Sequence, residues 1–433
     1  MKTKEDRINI VTLGCAKNIV DSEVLLTQLR GNNINTVHED DKKLSNIIII
    51  NTCGFIESAK QESIDTILSY AQQKKLGNIK KLYVTGCLSE RYKENLKKEI
   101  PEVDNYFGTN ELPFLLKKLK AKYRNDLLSK RTISTKNHYA YLKISEGCNR
   151  PCSFCAIPIM RGKHISKPME ALIKESKNLA ETGVKELMII AQDSTYYGID
   201  LYNKRMLGEL IKRLSDIEGI EWIRLHYAFP TGFPMDILNV IKENNNICKY
   251  LDLPLQHGSS KMLKIMRRGT NRKKTEDLIK KIRDKIPEIA IRTTLIAGHP
   301  GETEKDYEEM YDFVYNMRFN RLGIFTYSHE EGTHSFSMKD NVPEKIKKER
   351  ASSIMRLQQK ISFDLNQKFL DKKLKVIIDR KQGKYAFGRT EFDSPEVDNE
   401  IIIKGNNENI KVGNFYNVIV KEAKDYDLKC EIV

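Results

Sequence analysis

The chain has 433 residues, of which 40% are apolar, so it can form several hydrophobic cores and two to four domains. Lysine and arginine number 74 against 59 acidic residues, and the net charge of +15 leaves nucleic acid or a ribonucleoprotein open as a partner. No apolar run approaches the ~20 residues of a membrane-spanning helix, and the first residues lack the apolar region of a signal peptide. We therefore expect a soluble, cytoplasmic protein with no membrane partner.

Strands and helices alternate in the first part of the chain. The patterns predict strands over residues 8–14, 46–51 and 81–85, and helices over residues 21–30 and 57–73. This βαβ alternation favours an open α/β domain with a parallel sheet. Residues 117–136 are basic and lose the clear period, which indicates a linker. We therefore place the first domain at residues 1–136.

Cys15, Cys53 and Cys87 each come just after one of these predicted strands. The carboxyl ends of strands in open α/β sheets are where ligands bind, so we expect the three cysteines to meet at one edge. Three thiols that meet in this way predict a site for a metal cluster. The alternative is three separate buried cysteines that happen to follow strands.

Residues 137–370 form the second predicted domain, in which strands and helices alternate again. A long amphipathic helix over residues 343–370 ends this domain, and six strands precede it, at residues 141–145, 186–191, 222–227, 250–255, 290–296 and 322–327. Six βα units in series predict a partial (β/α)6 barrel. In such barrels the chemistry occupies the loops after the strands.

Several residues in these loops are suited to binding a cofactor. Gln256, His257 and Ser259 follow the fourth strand and are placed to hydrogen-bond a ribose or a carboxylate. The turn from Gly298 to Pro300 follows the fifth strand and lets the backbone approach an adenine. For each of these residues the alternative is a turn without a ligand.

Cys148, Cys152 and Cys155 crowd into eight residues after the first barrel strand, in the segment CNRPCSFC. Three thiolates on one short loop can ligate three irons of a 4Fe-4S cluster and leave the fourth iron free to bind another molecule. A zinc site is the alternative, but it usually needs a fourth ligand, for which His164 is the nearest candidate. The remaining cysteines, Cys248 and Cys430, are expected to be structural.

Residues 371–433 are rich in strands and turns and predict a small five-stranded β-barrel of the OB kind. This segment has twelve basic and twelve acidic residues, so it is neutral in a basic chain. A barrel that grips a phosphate backbone needs a positive groove. We therefore expect Asp393, Glu396 and Asp398 to face a basic protein, the alternative being that they only solubilise a loop.

The Cys-x3-Cys-x2-Cys spacing, with Phe154 just before the last cysteine, resembles the signature of the radical S-adenosylmethionine enzymes. The resemblance implies that S-adenosylmethionine chelates the free iron, and that an electron from the cluster cleaves it to a 5′-deoxyadenosyl radical. It also assigns Phe154 to the cofactor site. No catalytic side chain is assigned from the sequence.

A cysteine-bearing α/β domain, a radical barrel and a terminal β-barrel together resemble the methylthiotransferases along the entire chain. In that family the last piece is called a TRAM domain. The resemblance implies two 4Fe-4S clusters, the second one on Cys15, Cys53 and Cys87. That cluster would carry the sulfur that is methylated and inserted into a C–H bond that has no acidic proton.

Two segments indicate the branch of the family. Residues 191–202 read AQDSTYYGIDLY and residues 388–398 read GRTEFDSPEVD, and both resemble the branch that modifies an aspartate β-carbon in ribosomal protein S twelve of the small subunit. Ser194 replaces the threonine expected there. The alternative branch modifies an isopentenylated adenosine in transfer RNA and typically has a Gly-Gln-Asn stretch after the second barrel strand.

A third alternative is an electron carrier with two clusters, although such proteins are much smaller and ligate each cluster with four cysteines. The resemblance also implies an electron-donating reductase as a partner. Basic segments at residues 117–131 and 267–281 leave a contact with ribosomal RNA open, although charge runs on helices are more often solvated surface.

Overall fold

The computed structural model of the chain describes residues 6–40, 45–405 and 409–433. Their strands form a five-stranded sheet, a six-stranded sheet, a two-stranded pair and a closed barrel. Within these described ranges no helix is long and apolar enough to cross a bilayer.

The first sheet is parallel and has helices on both faces. Its strands are β1 (Ile8–Thr12), β2 (Thr36–His38), β3 (Ile47–Thr52), β4 (Lys81–Gly86) and β5 (Asn105–Tyr106). The helices are α1 (Ala16–Gly31), α2 (Glu57–Lys75), α3 (Cys87–Glu99) and α4 (Leu112–Lys118). The strands lie in the order β2-β1-β3-β4-β5.

The run of four isoleucines in β3 fits its place as the central strand of this sheet. Ile47 and Ile49 belong to one hydrophobic cluster, whereas Ile48 and Ile50 belong to another on the opposite face. A strand that is buried on both faces needs apolar residues at every position rather than at alternate ones. The predicted open α/β domain is confirmed.

The second sheet forms the partial barrel. The strands from this part of the chain are β6 (Tyr139–Lys143), β7 (Ser145–Glu146), β8 (Ile165–Ser166), β9 (Glu186–Ile190), β10 (Trp222–Leu225), β11 (Ile247–Asp252), β12 (Ala290–Ala297) and β13 (Arg321–Thr326). All but β7 and β8, which pair with each other, lie in one parallel sheet in chain order. This order confirms the six predicted βα units.

Nine helices accompany these strands in the described chain. They are α5 (Ile157–Arg161), α6 (Met169–Glu181), α7 (Ile199–Tyr202), α8 (Leu207–Ser215), α9 (Ile237–Glu243), α10 (Ser260–Ile265), α11 (Arg272–Lys285), α12 (Glu304–Met317) and α13 (Glu344–Gln367). On the helix-covered face, Leu187, Ile223 and Ile291 belong to the main hydrophobic core. The other face carries Tyr141 and Met188, which pack against Val20 of α1. The first domain therefore lies against the inner face of the barrel sheet.

The terminal barrel closes through five strands. They are β14 (Lys373–Gln382), β15 (Tyr385–Arg389), β16 (Ile401–Lys404), β17 (Phe415–Ala423) and β18 (Leu428–Ile432), and they close in the order β14-β15-β16-β18-β17. Only β16 and β18 run parallel among these pairs. This arrangement confirms the predicted OB-like barrel. The exact boundaries at residues 136 and 370 stay a prediction.

A buried cluster of charges joins the terminal barrel to the six-stranded sheet. Glu186, the first residue of β9, lies 2.8 Å from both Arg224 and Arg389. Arg389 also lies 2.6 Å from Asp379, and Asp379 lies 2.7 Å from His138. Buried charges are tolerated only when each one has a partner, so this cluster fixes the position of the terminal barrel.

The expectation that Asp393 and Asp398 face a basic protein partner is wrong. Their side chains are buried in the loop after β15, where Asp393 accepts a hydrogen bond of 2.9 Å from Arg321 and Asp398 lies 3.3 Å from Arg292. Their charges are compensated by arginines of the same chain. Of the three acids only Glu396 is exposed.

We predict that Arg389→Met lowers the free energy of unfolding by about 3 kcal/mol, because two buried carboxylates each lose a cationic partner. Chemical denaturation followed by circular dichroism measures the change. Arg380→Met is the matched control, since Arg380 pairs with Glu400 at the surface, and its loss is at most about 1 kcal/mol. Equal losses in the two variants would contradict this account of the interface.

Candidate active site

The structure brings Cys15, Cys53 and Cys87 together at one edge of the first sheet. β1, β3 and β4 lie side by side, and each of the three cysteines follows one of these strands. Burial raises the pKa of the Cys87 thiol to about 12 and also raises that of Cys53, and the charge of Cys15 adds to both shifts. Cys15 itself is exposed, so this group of thiols, the N-terminal trio, opens to solvent.

Cys148, Cys152 and Cys155 also lie together, on the loop between β7 and β8. The antiparallel pairing of β7 with β8 closes the base of this loop. Burial raises the pKa of Cys148 to about 11 and that of Cys155 to about 12, and Cys152 contributes to both shifts. We call these three thiols the loop trio. The role of either trio as cluster ligands stays a prediction.

Each trio has a buried arginine that contacts a sulfur atom. Arg161 Nε lies 3.3 Å from Cys87 Sγ, and Arg268 Nη1 lies 3.1 Å from Cys152 Sγ. A cationic N–H donor stabilises a thiolate over a thiol, and the thiolate is the form that ligates iron. The N-termini of α1 and α3, next to Cys15 and Cys87, add positive partial charge. The residues present therefore fit an anionic iron-sulfur ligand set.

The sequence did not single out Arg161, and it assigned Arg268 to a basic segment that was a candidate for RNA contact. Arg268 is buried and bonded to Cys152, so the RNA interpretation is wrong for this residue. Arg131, from the other basic segment, is also buried and pairs with Glu175 at 3.0 Å. Within a basic segment, the sequence does not indicate which of the basic side chains is buried.

Arg161 also connects the first domain to the barrel. Its Nη1 lies 2.7 Å from Asp21 of α1 and 3.1 Å from Glu146, and Lys143 lies 2.6 Å from the same Glu146. Burial alone would raise the pKa of Glu146, but these two cations lower it to about 2. Glu146 is therefore an anion that holds the loop trio against α1.

The side chains of two predicted cofactor residues already contact acids of the same chain. The side chains of His257 and Ser259 are fully buried, and His257 Nε2 lies 3.2 Å from Glu302. The Ser259 hydroxyl donates a hydrogen bond of 2.9 Å to Asp306. These bonds fix the turn after β11, and direct contact of either residue with a cofactor stays a prediction.

Gln256, Gly298 and Pro300 lie on two neighbouring turns. The backbone N–H of Gln256 donates to the Thr294 carbonyl of β12 at 2.8 Å, and Gln256 adopts a φ of 77°. Gly298 has a φ of 78°, and a Cβ at that position would lie 2.1 Å from Lys347 Cγ. Only glycine fits there, so the turn keeps its backbone close to its neighbours.

Phe154 joins the second of these turns to the loop trio. Its ring packs edge-on against His299 with the centroids 6.3 Å apart, and His299 lies between Gly298 and Pro300 in the chain. His299 Nε2 lies 2.8 Å from the Ser335 hydroxyl. The structure therefore places Phe154 and the turn from Gly298 to Pro300 beside the loop trio.

His164, the candidate fourth zinc ligand, and the two remaining cysteines lie in other surroundings. His164 is buried, and its Nε2 lies 3.0 Å from the Ser166 hydroxyl. Cys248 and Cys430 lie in two separate hydrophobic clusters, which fits the structural role expected of them. In the part of the chain that the structure describes, no three His, Cys, Asp or Glu side chains form a group that could hold a single metal ion.

Three segments of the chain match known families. Residues 142–314 match the Radical SAM superfamily, residues 372–433 match the TRAM domain, and residues 7–108 match a family described as uncharacterized protein family UPF0004. The barrel and its three-cysteine loop, together with these matches, define a radical S-adenosylmethionine protein.

Curated relatives cover the chain from end to end. The ribosomal protein uS12 methylthiotransferase RimO of Cytophaga hutchinsonii is 59% identical over 100% of both chains. The RimO proteins of Christiangramia forsetii and Phocaeicola vulgatus are 57% and 51% identical, over 98% and 99% of this chain and 94% and 100% of their own. The chain therefore belongs to the ribosomal protein uS12 methylthiotransferase RimO family, which confirms the resemblance stated from the sequence.

Solved structures show the same fold at low identity. The radical S-adenosylmethionine methyltransferase TsrM from Kitasatospora setae, with its tryptophan substrate and a cofactor analogue bound, aligns with a TM-score of 0.54. It is 12% identical, and the alignment covers 74% of this chain and 73% of TsrM. The cobalamin-dependent S-adenosylmethionine radical enzyme OxsB aligns with a TM-score of 0.53 at 14% identity, over 77% of this chain and 54% of OxsB.

We predict that Gly14→Ala removes iron from the N-terminal trio, because an added Cβ would lie 2.6 Å from Cys53 Cβ and 2.9 Å from its sulfur. If each trio holds one 4Fe-4S cluster, iron per chain after anaerobic reconstitution should fall from about eight to about four.

Gly77→Ala is the control for this substitution. Gly77 has a similar positive φ of 79°, but its added Cβ meets no atom within 4 Å. The two variants share a backbone strain of roughly 1–2 kcal/mol, and only Gly14→Ala displaces a thiol. An unchanged iron content in Gly14→Ala would contradict the role assigned to the N-terminal trio.

Proposed function

We propose that this protein is a radical S-adenosylmethionine methylthiotransferase that adds a methylthio group to the β-carbon of an aspartate in ribosomal protein uS12. The observation that carries the proposal is the pair of three-thiol groups on either side of one domain junction, in a chain that aligns over its full length with uS12 methylthiotransferases. A radical enzyme that inserts sulfur needs both a radical source and a sulfur carrier.

The loop trio would hold one 4Fe-4S cluster, and the N-terminal trio would hold the second. When bound, the first cluster and S-adenosylmethionine supply the radical, and the second cluster supplies the sulfur. Phe154, Gln256 and the turn from Gly298 to Pro300 would line the cofactor. His257 and Ser259 would act on the same cofactor through the turn that they hold, or through direct contact with it.

The protein's own side chains bind and orient the reacting groups. Arg161 and Arg268 donate N–H groups to sulfur, which stabilises the thiolate form and tunes the electron density on it. Glu146 and Asp21 anchor Arg161 from opposite sides of the domain junction. Ion pairs across the domain junction, rather than a flexible linker, therefore set the distance between the two trios.

Three observations favour uS12 over transfer RNA as the substrate. The terminal barrel has equal numbers of acidic and basic residues, which is a poor basis for gripping a phosphate backbone. Two arginines of the basic segments, Arg131 and Arg268, are buried and paired inside the protein. The curated relatives that align over the full length are uS12 methylthiotransferases. An electron carrier would have no use for a barrel of this kind.

The proposed reaction implies further partners. An electron-donating reductase must supply the electron that cleaves S-adenosylmethionine. The exposed lysines of residues 117–130 remain the surface for a contact with ribosomal RNA beside the target protein. Because the substrate is a ribosomal protein, we assign the enzyme to the cytoplasm.

We predict that replacing Cys15, Cys53 or Cys87 by Ala lowers bound iron and abolishes methylthio transfer, while 5′-deoxyadenosine is still formed. The loop trio retains its ligands in these variants, so cofactor cleavage continues. Alanine at Cys148, Cys152 or Cys155 should abolish cofactor cleavage and retain iron on the N-terminal trio. Cys248→Ala is the control, because Cys248 is buried among apolar residues. Unchanged iron in the first set would mean that the second cluster does not exist.

We predict that the reconstituted enzyme transfers a methylthio group to purified uS12 and not to isopentenylated transfer RNA. Mass spectrometry of each substrate after incubation with S-adenosylmethionine, a reductant and sulfide measures the addition. Modification of the transfer RNA alone would overturn the choice of substrate and leave the assignment of the radical barrel intact.

A further inference from the structure

Lys17 is a buried lysine at the start of α1, two residues after Cys15. Its side chain is mostly covered, with 8% of the residue exposed, and its ammonium lies 3.1 Å from the centroid of the Tyr227 ring. Tyr227 follows β10 and lies at the carboxyl end of the barrel strands, where the chemistry of such barrels takes place. Lys17 therefore extends from the N-terminal trio into the mouth of the barrel.

The ammonium of Lys17 has no carboxylate within salt-bridge distance among residues 6–40, 45–405 and 409–433. Most of the other buried cations contrast with it, because they pair with an acid; examples are Arg131, Lys143, Arg224, Arg321 and Lys347. Arg268, which has no acidic partner, instead contacts the sulfur of Cys152. A buried ammonium without an anion is costly, and contact with an aromatic face offsets only part of that cost. The missing partner is therefore an anion.

Several basic groups surround Tyr227, and two of them, Arg224 and Arg292, are already paired with the acids Glu186 and Asp252. Burial lowers the pKa of the neighbouring His226 well below its usual value, and Arg224, Arg292 and Lys17 lower it further. Tyr227 adopts a φ of 57°, a conformation that few bulky residues accept. Its backbone N–H donates to Asp252 at 3.2 Å, which holds the ring in place under the ammonium. The ammonium is thus held by α1, and the ring that it contacts is held by the segment after β10.

We propose that Lys17 receives the side-chain carboxylate of the target aspartate. This inference rests on the proposed function, because it assumes that the substrate is an aspartate of uS12. The carboxylate carbon is bonded directly to the β-carbon that reacts, so an ammonium that binds the carboxylate also restricts the position of the β-carbon. Lys17 leads from the helix start beside Cys15 into the barrel, so the β-carbon is held between the two trios.

The proposal explains how the enzyme distinguishes aspartate from asparagine. An asparagine side chain has the same shape but carries no charge, so it leaves the ammonium buried and unpaired. The carboxylate of S-adenosylmethionine is a second anion of the same kind. If Lys17 binds the target aspartate, the preference for aspartate over asparagine depends on Lys17. If it binds S-adenosylmethionine, the affinity for that cofactor depends on Lys17 instead.

The experiment measures the binding of purified uS12, and of uS12 with asparagine at the modified position, to the anaerobically reconstituted enzyme. Isothermal titration calorimetry without a reductant gives both dissociation constants and needs no turnover. We expect the enzyme to prefer the aspartate form by about tenfold, the gain typical of a charge-assisted hydrogen bond. Lys17→Met should bind the two forms alike, and Lys17→Arg should retain most of the preference.

Lys98→Met is the matched control, because it removes the same charge from an exposed position of the same domain. It should retain the tenfold preference. Thermal melting and iron content of Lys17→Met, compared with the parent, show that any loss of preference is not caused by misfolding.

A preference that survives in Lys17→Met would overturn the proposal. Weaker binding of S-adenosylmethionine by Lys17→Met, with the aspartate preference intact, would assign the ammonium to the cofactor and would also overturn it. Failure of the parent enzyme to modify uS12 at all would instead refute the proposed function. The two failures are therefore distinguishable.

Discussion

One buried guanidinium joins the first domain to the barrel beside both trios. Arg161 contacts a thiol of the N-terminal trio, an acid of α1 and an acid beside the loop trio. A planar group with five donors can bridge three partners in fixed directions, which a lysine cannot do. Because the guanidinium is buried and both acids are partly buried, separating the domains would leave the Arg161 charge without its anionic partners. The spacing of the two trios is thus an electrostatic property of the junction.

The sequence predicted the architecture well because hydrophobic periodicity is a local signal. The buried run from Ile47 to Ile50 and the six barrel strands were visible as apolar segments between turn residues. The short strands β2 and β5 were not predicted, since three and two residues carry too little pattern. The start of α1 was predicted five residues too late, because Lys17 and Asn18 are polar although they are buried.

The six cysteines were visible because thiols are rare and their spacing is distinctive. The residues that act on them were not, since Arg161, Arg268 and Lys17 are ordinary basic residues in a basic chain. Only the structure shows that each of them is buried and which group it contacts. For Asp393 and Asp398 the prediction was wrong in the opposite sense, because it placed buried residues at the surface. They were predicted at the surface on their charge, but they pair with arginines on distant strands, and pairing over such sequence distances leaves no local pattern.

The loop after β15 has a consequence for the way in which the chain unfolds. Asp393 and Asp398 pair with Arg321 of β13 and Arg292 of β12, and Arg224 of β10 donates to carbonyls of the same loop. Moving the terminal barrel away from the six-stranded sheet would therefore leave several buried charges without partners at once. We expect these two parts of the protein to melt in one cooperative transition rather than one after the other.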